Sequence, residues 1–298
     1  MKWPVLIFLT LLFGGVQAES VGFKYNGTRL QGNLEKSDNW PAGPVILLTH
    51  GTLAHNRMEI ISSLQELFAE NGISSLAINL SLGLNDRASR MYDCKTAHTH
   101  KHTDAVNEIG AWVEWLRFED VKDIVLLGHS RGGNQTAWYA SEQPDKTISQ
   151  VVLLAPQTWS AEYAKKSYKQ RYGKELQPIL DKAMALVKAG KGKEMLEHVD
   201  FIYCKDTSVS AETFVNYYAP DPRMDTPYLL SKIQLPVLLF VGTEDKVVKD
   251  LQQKLKALPA KPEKLEVVIV EGADHFFRDL YAEEVVEKIL QTIGKPVE

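Results

Sequence analysis

The stretch Ile124-Val125-Leu126-Leu127-Gly128-His129-Ser130-Arg131-Gly132-Gly133 constrains this chain more than any other. Its opening aliphatic run is too short for a helix and reads as a strand buried on both faces. It ends in the spacing Gly-x-Ser-x-Gly, and residues 134–141 then read as a helix. A sharp strand-to-helix turn of this kind holds a serine above a sheet, and it is tolerated only where the neighbours are small. Gly128 and Gly132 leave that room. The pentapeptide alone is common by chance; the strand before it and the helix after it supply its context.

A serine hydroxyl is a nucleophile at neutral pH only when an oriented base takes its proton. The chain offers both partners in order. A second buried strand over 235–242 is followed by Thr243-Glu244-Asp245, and a third over 265–270 by Glu271-Gly272-Ala273-Asp274-His275. Upstream, a strand over 44–49 ends in His50-Gly51-Thr52. That loop aims a backbone N–H at the oxygen of an attacked carbonyl, beside the N–H of Arg131.

With Thr49 to Thr52, Gly128 to Gly133, Gly242 to Asp245 and Gly272 to Phe277 in this order, the chain resembles the α/β-hydrolase superfamily over about residues 23–293. The resemblance implies an α/β fold: a mostly parallel eight-stranded sheet, helices on both faces, and a site at the strand C-termini. It implies Ser130 as nucleophile, His275 as base, Asp245 as orienting acid, and the amides of Thr52 and Arg131 as oxyanion hole. The chemistry implied is acyl transfer from a small-molecule ester or thioester, with no metal or organic cofactor. Many relatives carry Asp-x-x-Gly-x-Gly-x-Ser after the fourth strand, where this chain departs with Asn79-Leu80-Ser81-Leu82-Gly83-Leu84-Asn85-Asp86-Arg87. Two rival readings stand beside ester cleavage. Cleavage of amides or peptides would need a carboxylate to anchor the amine, with Glu162, Glu175 and Asp206 as candidates. A binding protein that keeps the fold without catalysis is the other, and the intact set of three argues against it.

Residues 150–155 read as a further buried strand, and the next begins only at 235, a gap too long for a plain loop. Helical periodicity marks 163–172, 179–187 and 211–218, and Pro227 suits the first turn of a short helix. The resemblance makes 157–232 a helical lid inserted into a core of 19–156 and 233–298. Most of its tyrosines (Tyr163, Tyr168, Tyr172, Tyr203, Tyr217, Tyr218) are expected to pack the lid, with one or two at the pocket. Elsewhere, residues 21–34 read as a hairpin turning at Asn26-Gly27. A helix from Asp104, its N-cap, to Phe118 is expected to bury Val106, Ile109, Val113 and Leu116, with Trp112 and Trp115 flanking that face. A last helix spans 280–293.

The chain starts with Lys2, then an apolar run over 5–13 broken only by Thr10, then Val16-Gln17-Ala18. This reads as a secretory signal peptide over 1–18, too short to span a bilayer, which takes about 20 apolar residues. The mature protein is expected to be exported, periplasmic or secreted. Removing Lys2 takes the formal net charge from -4 to -5. That balance gives no reason to expect nucleic acid or an anionic membrane as partner. Export permits a disulfide, and the resemblance places both Cys94 and Cys204 above the site, so they are expected to pair, two free thiols being the alternative. One oddity is His98-Thr99-His100-Lys101-His102. Metal ligation is the sharp reading, but no other ligand cluster supports it, so the stretch is read as a polar loop and helix start. A place along the substrate cleft is a third possibility. His50 and His129 read as packing residues beside the oxyanion hole and under the turn.

Overall fold

A computed structural model describes residues 18–143 and 145–293. Strands β1 (Ala18–Tyr25) and β2 (Thr28–Glu35) open the chain as a hairpin, with Asn26 and Gly27 both at positive φ as its tight turn requires. Strand and helix then alternate: β3 (Val45–Thr49), α1 (Glu59–Glu70), β4 (Ser74–Asn79), α2 (His102–Phe118), β5 (Ile124–His129), α3 (Arg131–Glu142) and β6 (Ile148–Leu154). After an insertion, β9 (Val237–Gly242), α8 (Leu251–Lys256), β10 (Leu265–Val270) and α9 (Leu280–Leu290) complete the core. The expected leader lies outside the described residues apart from Ala18. Among the described residues no helix is long and apolar enough to cross a membrane.

The sheet has eight strands in the order β1-β2-β4-β3-β5-β6-β9-β10, antiparallel at β1–β2 and β2–β4 and parallel from β4 onward. Strand residues alternate between two apolar layers, which is why the central strands read as unbroken hydrophobic runs. Val45 and Leu47 meet α2 and α3, while Ile46 and Leu48 meet Ile60, Leu64 and Phe68 of α1 and Val285 and Ile289 of α9. Trp112 does more than flank the α2 face: it is fully buried, in edge contact with Phe23. Asp104 sits one turn inside α2 rather than at its cap, and its carboxylate accepts from the Lys101 N–H at 2.7 Å. An acid three residues into a helix reaches back to the cap backbone, which satisfies an orphan donor just as a cap would.

Between β3 and β5 the chain reverses its direction of travel across the sheet. Strand β4 lies to one side of β3 and β5 to the other. The loops leaving β3 and β5 therefore splay apart and open a crevice at the strand C-termini, where ligands settle in open α/β sheets.

The insertion carries α4 (Ala161–Tyr172), α5 (Gln177–Lys188), α6 (Ala211–Tyr218) and the short α7 (Thr226–Leu230), close to the expected helices. It also carries an unforeseen antiparallel hairpin, β7 (Met195–Phe201) and β8 (Cys204–Ser210). Cys94 and Cys204 form a disulfide that ties the loop after β4 to the tip of this hairpin. Alongside it, Thr207 Oγ1 donates to the Cys94 carbonyl at 2.8 Å, and His98 exchanges backbone bonds with Ser208 and Ser210 at 2.8 and 2.9 Å. The disulfide closes a separation of 110 residues. Replacing both cysteines by alanine is expected to lower stability by up to roughly 4–5 kcal/mol on loop entropy. An unchanged urea midpoint for the double variant would show that the cross-link restrains nothing.

Candidate active site

Ser130 stands at the end of β5 with φ 58° and ψ -121°, and its side chain is nearly buried. The room for it comes from the glycines on either side. A Cβ on Gly132 would lie 2.3 Å from the His50 carbonyl oxygen, and one on Gly128 2.5 Å from that of Gly132. Any larger residue at either place would push β3, β5 and α3 apart.

Strand ends bring the other two predicted residues to this serine. Ser130 Oγ–H donates to His275 Nε2 at 2.9 Å, and His275 Nδ1–H donates to Asp245 Oδ2 at 2.8 Å. The other carboxylate oxygen accepts from the amides of Val247 and Val248 at 2.7 and 2.9 Å. Burial alone would raise the Asp245 pKa. The hydrogen bond and charge of His275, with the two amides, outweigh it and hold the group below the usual carboxylate range. Glu244, the neighbouring acid, makes no such contact with His275. Behind His275, His129 Nε2–H donates to its backbone carbonyl at 2.9 Å.

Thr52 and Arg131 meet beside Ser130 in the crevice. Arg131 heads α3, so no carbonyl of its own helix is available to its N–H. Its side chain reaches back, with Nε–H donating to Thr52 Oγ1 at 3.0 Å, so the two loops expected to supply oxyanion donors are latched together. A second guanidinium nitrogen donates to His102 Nδ1 at 3.2 Å. His102 therefore carries its proton on Nε2, which donates to Asn134 Oδ1 at 2.9 Å. Arg131 also lies over the Tyr217 ring, 5.0 Å from its centre.

The histidine stretch is not the polar loop expected from its composition. His98, His100 and His102 are fully buried, and none lines the cavity. His98 Nδ1 and His100 Nε2 lie 3.2 Å apart, and His100 Nδ1 is 2.9 Å from the Tyr217 hydroxyl. The three imidazoles back the cavity wall and the side chain of Arg131. Nothing in the residue pattern signalled this; β8 and α6 together close over the loop.

The cavity over Ser130 is about 120 Å³. It is walled by Trp159 and five rings from α4, α6 and the β7–β8 turn, and Tyr163 adds a sixth, exposed at the edge. Six of the insertion's seven tyrosines thus reach the pocket, all but Tyr228, where one or two were expected, because α4, α6 and the β7–β8 turn all face it. Arg171, which the sequence did not single out, also lines it.

Five imidazoles are buried and neutral. Burial pushes His50 and His129 down to about 3 and His98 to about 4, and holds His100 and His102 well below 6.5. Unfolded, each would titrate near 6.5. Between pH 6.5 and 4.5 the unfolded chain thus binds protons that the folded chain refuses, so stability falls as pH falls. Glu108 works the other way, since burial raises it to about 7 against two hydrogen bonds from Ser81. Unfolding near pH 5.5 is then expected to take up about four protons. Thermal melts across this window should show a steep fall in Tm; a flat profile would mean that the imidazoles titrate freely.

Residues 41–278 match the family described as serine aminopeptidase, S33. No curated protein matches the sequence. Among solved structures, Est1E from Butyrivibrio proteoclasticus, determined with ferulic acid bound, superposes with a TM-score of 0.65 at 20% identity, covering 92% of this chain and all of that one. A monoacylglycerol lipase from Paleococcus ferrophilus gives 0.59 at 20% identity, over 88% of this chain and 97% of that one. An esterase from Pyrococcus furiosus gives 0.61 at 18% identity, over 93% of this chain and 89% of that one. At such identities these likenesses concern the fold, whereas the family match covers most of the sequence: the chain is a serine hydrolase of the serine aminopeptidase S33 family, on the α/β-hydrolase fold.

Proposed function

We propose that this protein hydrolyses carboxylic esters or thioesters through an acyl-enzyme on Ser130. Ser130 Oγ attacks the carbonyl carbon while His275 Nε2 takes its proton. The oxyanion that forms accepts hydrogen bonds from the amides of Thr52 and Arg131. Collapse breaks the bond to the leaving alcohol or thiol, which departs with the proton held by His275. Water then attacks the acyl-serine, gives a proton to His275, and releases the acid as Ser130 regains its own. Asp245 holds the Nδ1 proton and stabilises the imidazolium in both halves.

The observation that favours an ester over a peptide is the charge of the cavity. Its lining holds Arg131 and Arg171 and no Asp or Glu. An amino terminus would need a carboxylate there, and the three candidates are occupied or turned outward. Glu175 pairs with Lys169 at 2.5 Å, Asp206 with His198 at 2.9 Å, and Glu162 is exposed in the first turn of α4. The non-catalytic reading is disfavoured by the unbroken hydrogen-bonded chain from Ser130 to Asp245.

We further read residues 1–18 as a cleaved leader and the protein as exported, periplasmic or secreted. The Cys94–Cys204 disulfide fits an oxidising compartment. Sequencing the mature chain from its natural host should then start at Glu19; an intact Met1 would overturn this.

4-Nitrophenyl esters of increasing acyl length, run beside aminoacyl 4-nitroanilides, test the reaction. Esters should be turned over with kcat/KM at least about 100-fold above the anilides. Asp245→Asn should lower kcat by about 10⁴-fold at near-native stability, as loss of the orienting acid does in other triads. Glu244→Gln should lie within a few-fold of the parent. The reverse pattern would move the acid to Glu244, and a preference for the anilides would make this a peptidase.

A further inference from the structure

We propose that the ester bound here carries a carboxylate, held by Arg171 at the cavity mouth and drawn in by Arg131 at its floor; this rests on the esterase reading above.

Among the described residues neither guanidinium has a carboxylate within ion-pair distance. Elsewhere on the molecule Arg29 pairs with Asp86, Arg117 with Glu114 and Asp145, Arg223 with Asp221 and Glu142, and Arg278 with Glu59, while Arg57 and Arg87 are held by neutral acceptors and Arg90 has no ion pair among the described residues. The two that share the cavity with Ser130 are satisfied by neutral acceptors only. Arg131 uses Thr52 and His102, and Arg171 donates from one nitrogen to the Ile202 carbonyl at 2.5 Å. Most donors of the Arg171 fork have no protein acceptor.

Arg171 is placed rather than loose. Its guanidinium stacks 4.6 Å from the centre of the Tyr203 ring. The carbonyl it holds belongs to Ile202, a β-branched residue at φ 53°, a conformation kept only when its surroundings fix it. Tyr172 donates to the same carbonyl at 2.6 Å, and the Ile202 N–H bonds the Tyr218 hydroxyl at 2.9 Å.

Polar recognition by the inner walls is partly spent. Tyr168 and Tyr172 give their hydroxyl protons to the carbonyls of Asp200 and Ile202, and the Tyr217 hydroxyl meets His100, while Tyr218 accepts from the Ile202 N–H and keeps its own proton. Thr158 gives its hydroxyl proton to Asp250. What remains is a small aromatic-faced space with two unneutralised cations and no anion. A cleft lined by one sign of charge concentrates the opposite ion, and a planar fork suits a carboxylate. The substrate class is therefore a compact ester with a carboxylate on its acyl or its alcohol side.

Two matched pairs test this: monomethyl glutarate against methyl pentanoate, and 4-carboxyphenyl acetate against 4-carbamoylphenyl acetate. In at least one pair the charged ester should have the higher kcat/KM, by about tenfold, the size of one charge-assisted bond. Arg171→Gln should remove about tenfold from that charged-to-neutral ratio, Arg171→Lys should keep most of it, and added salt should shrink it. Preference for the neutral ester in both pairs, or a ratio untouched by Arg171→Gln, would overturn the proposal. Should no ester be hydrolysed, the esterase reading falls, and calorimetric titration of Ser130→Ala with glutarate and with glutaramide judges the subsite alone. Binding of glutarate only, lost in the added Arg171→Gln, upholds it; equal binding or none ends it.

Discussion

Everything at this site depends on one strained residue. A serine at φ 58° and ψ -121° costs on the order of 1–3 kcal/mol unless its surroundings allow nothing else. Its surroundings here are the middle of the sheet. Ser130 N–H donates to Leu154 of β6 at 2.9 Å, and its carbonyl accepts from Gln157 at 2.9 Å. A Cβ at Gly132 would collide with the carbonyls of Thr49 and His50, so the end of β3 lies close against the head of α3. The same close approach brings the Thr52 loop against Arg131. Ser130 and the candidate oxyanion donors are thus brought together by one close approach.

Charge around that approach is kept on guanidiniums and off imidazoles. His102 Nδ1 accepts from Arg131, so a proton there would remove the acceptor and set two cations 3.2 Å apart. Burial, with the charge of Arg131, holds that proton off. His50 is fixed likewise: Nδ1–H donates to the Gly51 carbonyl and Nε2 accepts from the Leu80 N–H. A neutral shell lets Arg131 stay extended between Thr52 and His102 without repulsion from behind. It also leaves Arg131 and Arg171 as the charged groups that line the cavity.

The strands, and the placing of Ser130, Asp245 and His275 at their ends, were legible because their signals are local. A parallel strand buried on both faces is a run of aliphatic residues, and Ser130, Asp245 and His275 each follow such a run at once. The insertion's helices were legible from periodicity. Its hairpin was not: Met195–Phe201 and Cys204–Ser210 are rich in charged and polar residues, and their pairing shows only in three dimensions. His98, His100 and His102 misled for the same reason. Imidazoles read as polar, and nothing within a few residues reveals that β8 and α6 will close over them. Arg171 was silent because a cation on an amphipathic helix is ordinarily a solvated one.

The departure after β4 and the insertion prove to be parts of one structural unit. Arg87, within the departing stretch, is buried and donates to the carbonyls of Ala54, Leu80 and Arg90 and to Asn79, which fixes the loop that follows. That loop carries Cys94, joined to Cys204 beside the hairpin tip, and His98, paired with β8. The tip is Ile202, where Arg171, Tyr172 and Tyr218 converge on the cavity. The cavity wall over Ser130 is therefore braced from the core by a segment that differs from the common pattern of the fold. The fold places the residues at the strand ends, while this brace and the hairpin it holds place Arg171 in the cavity wall.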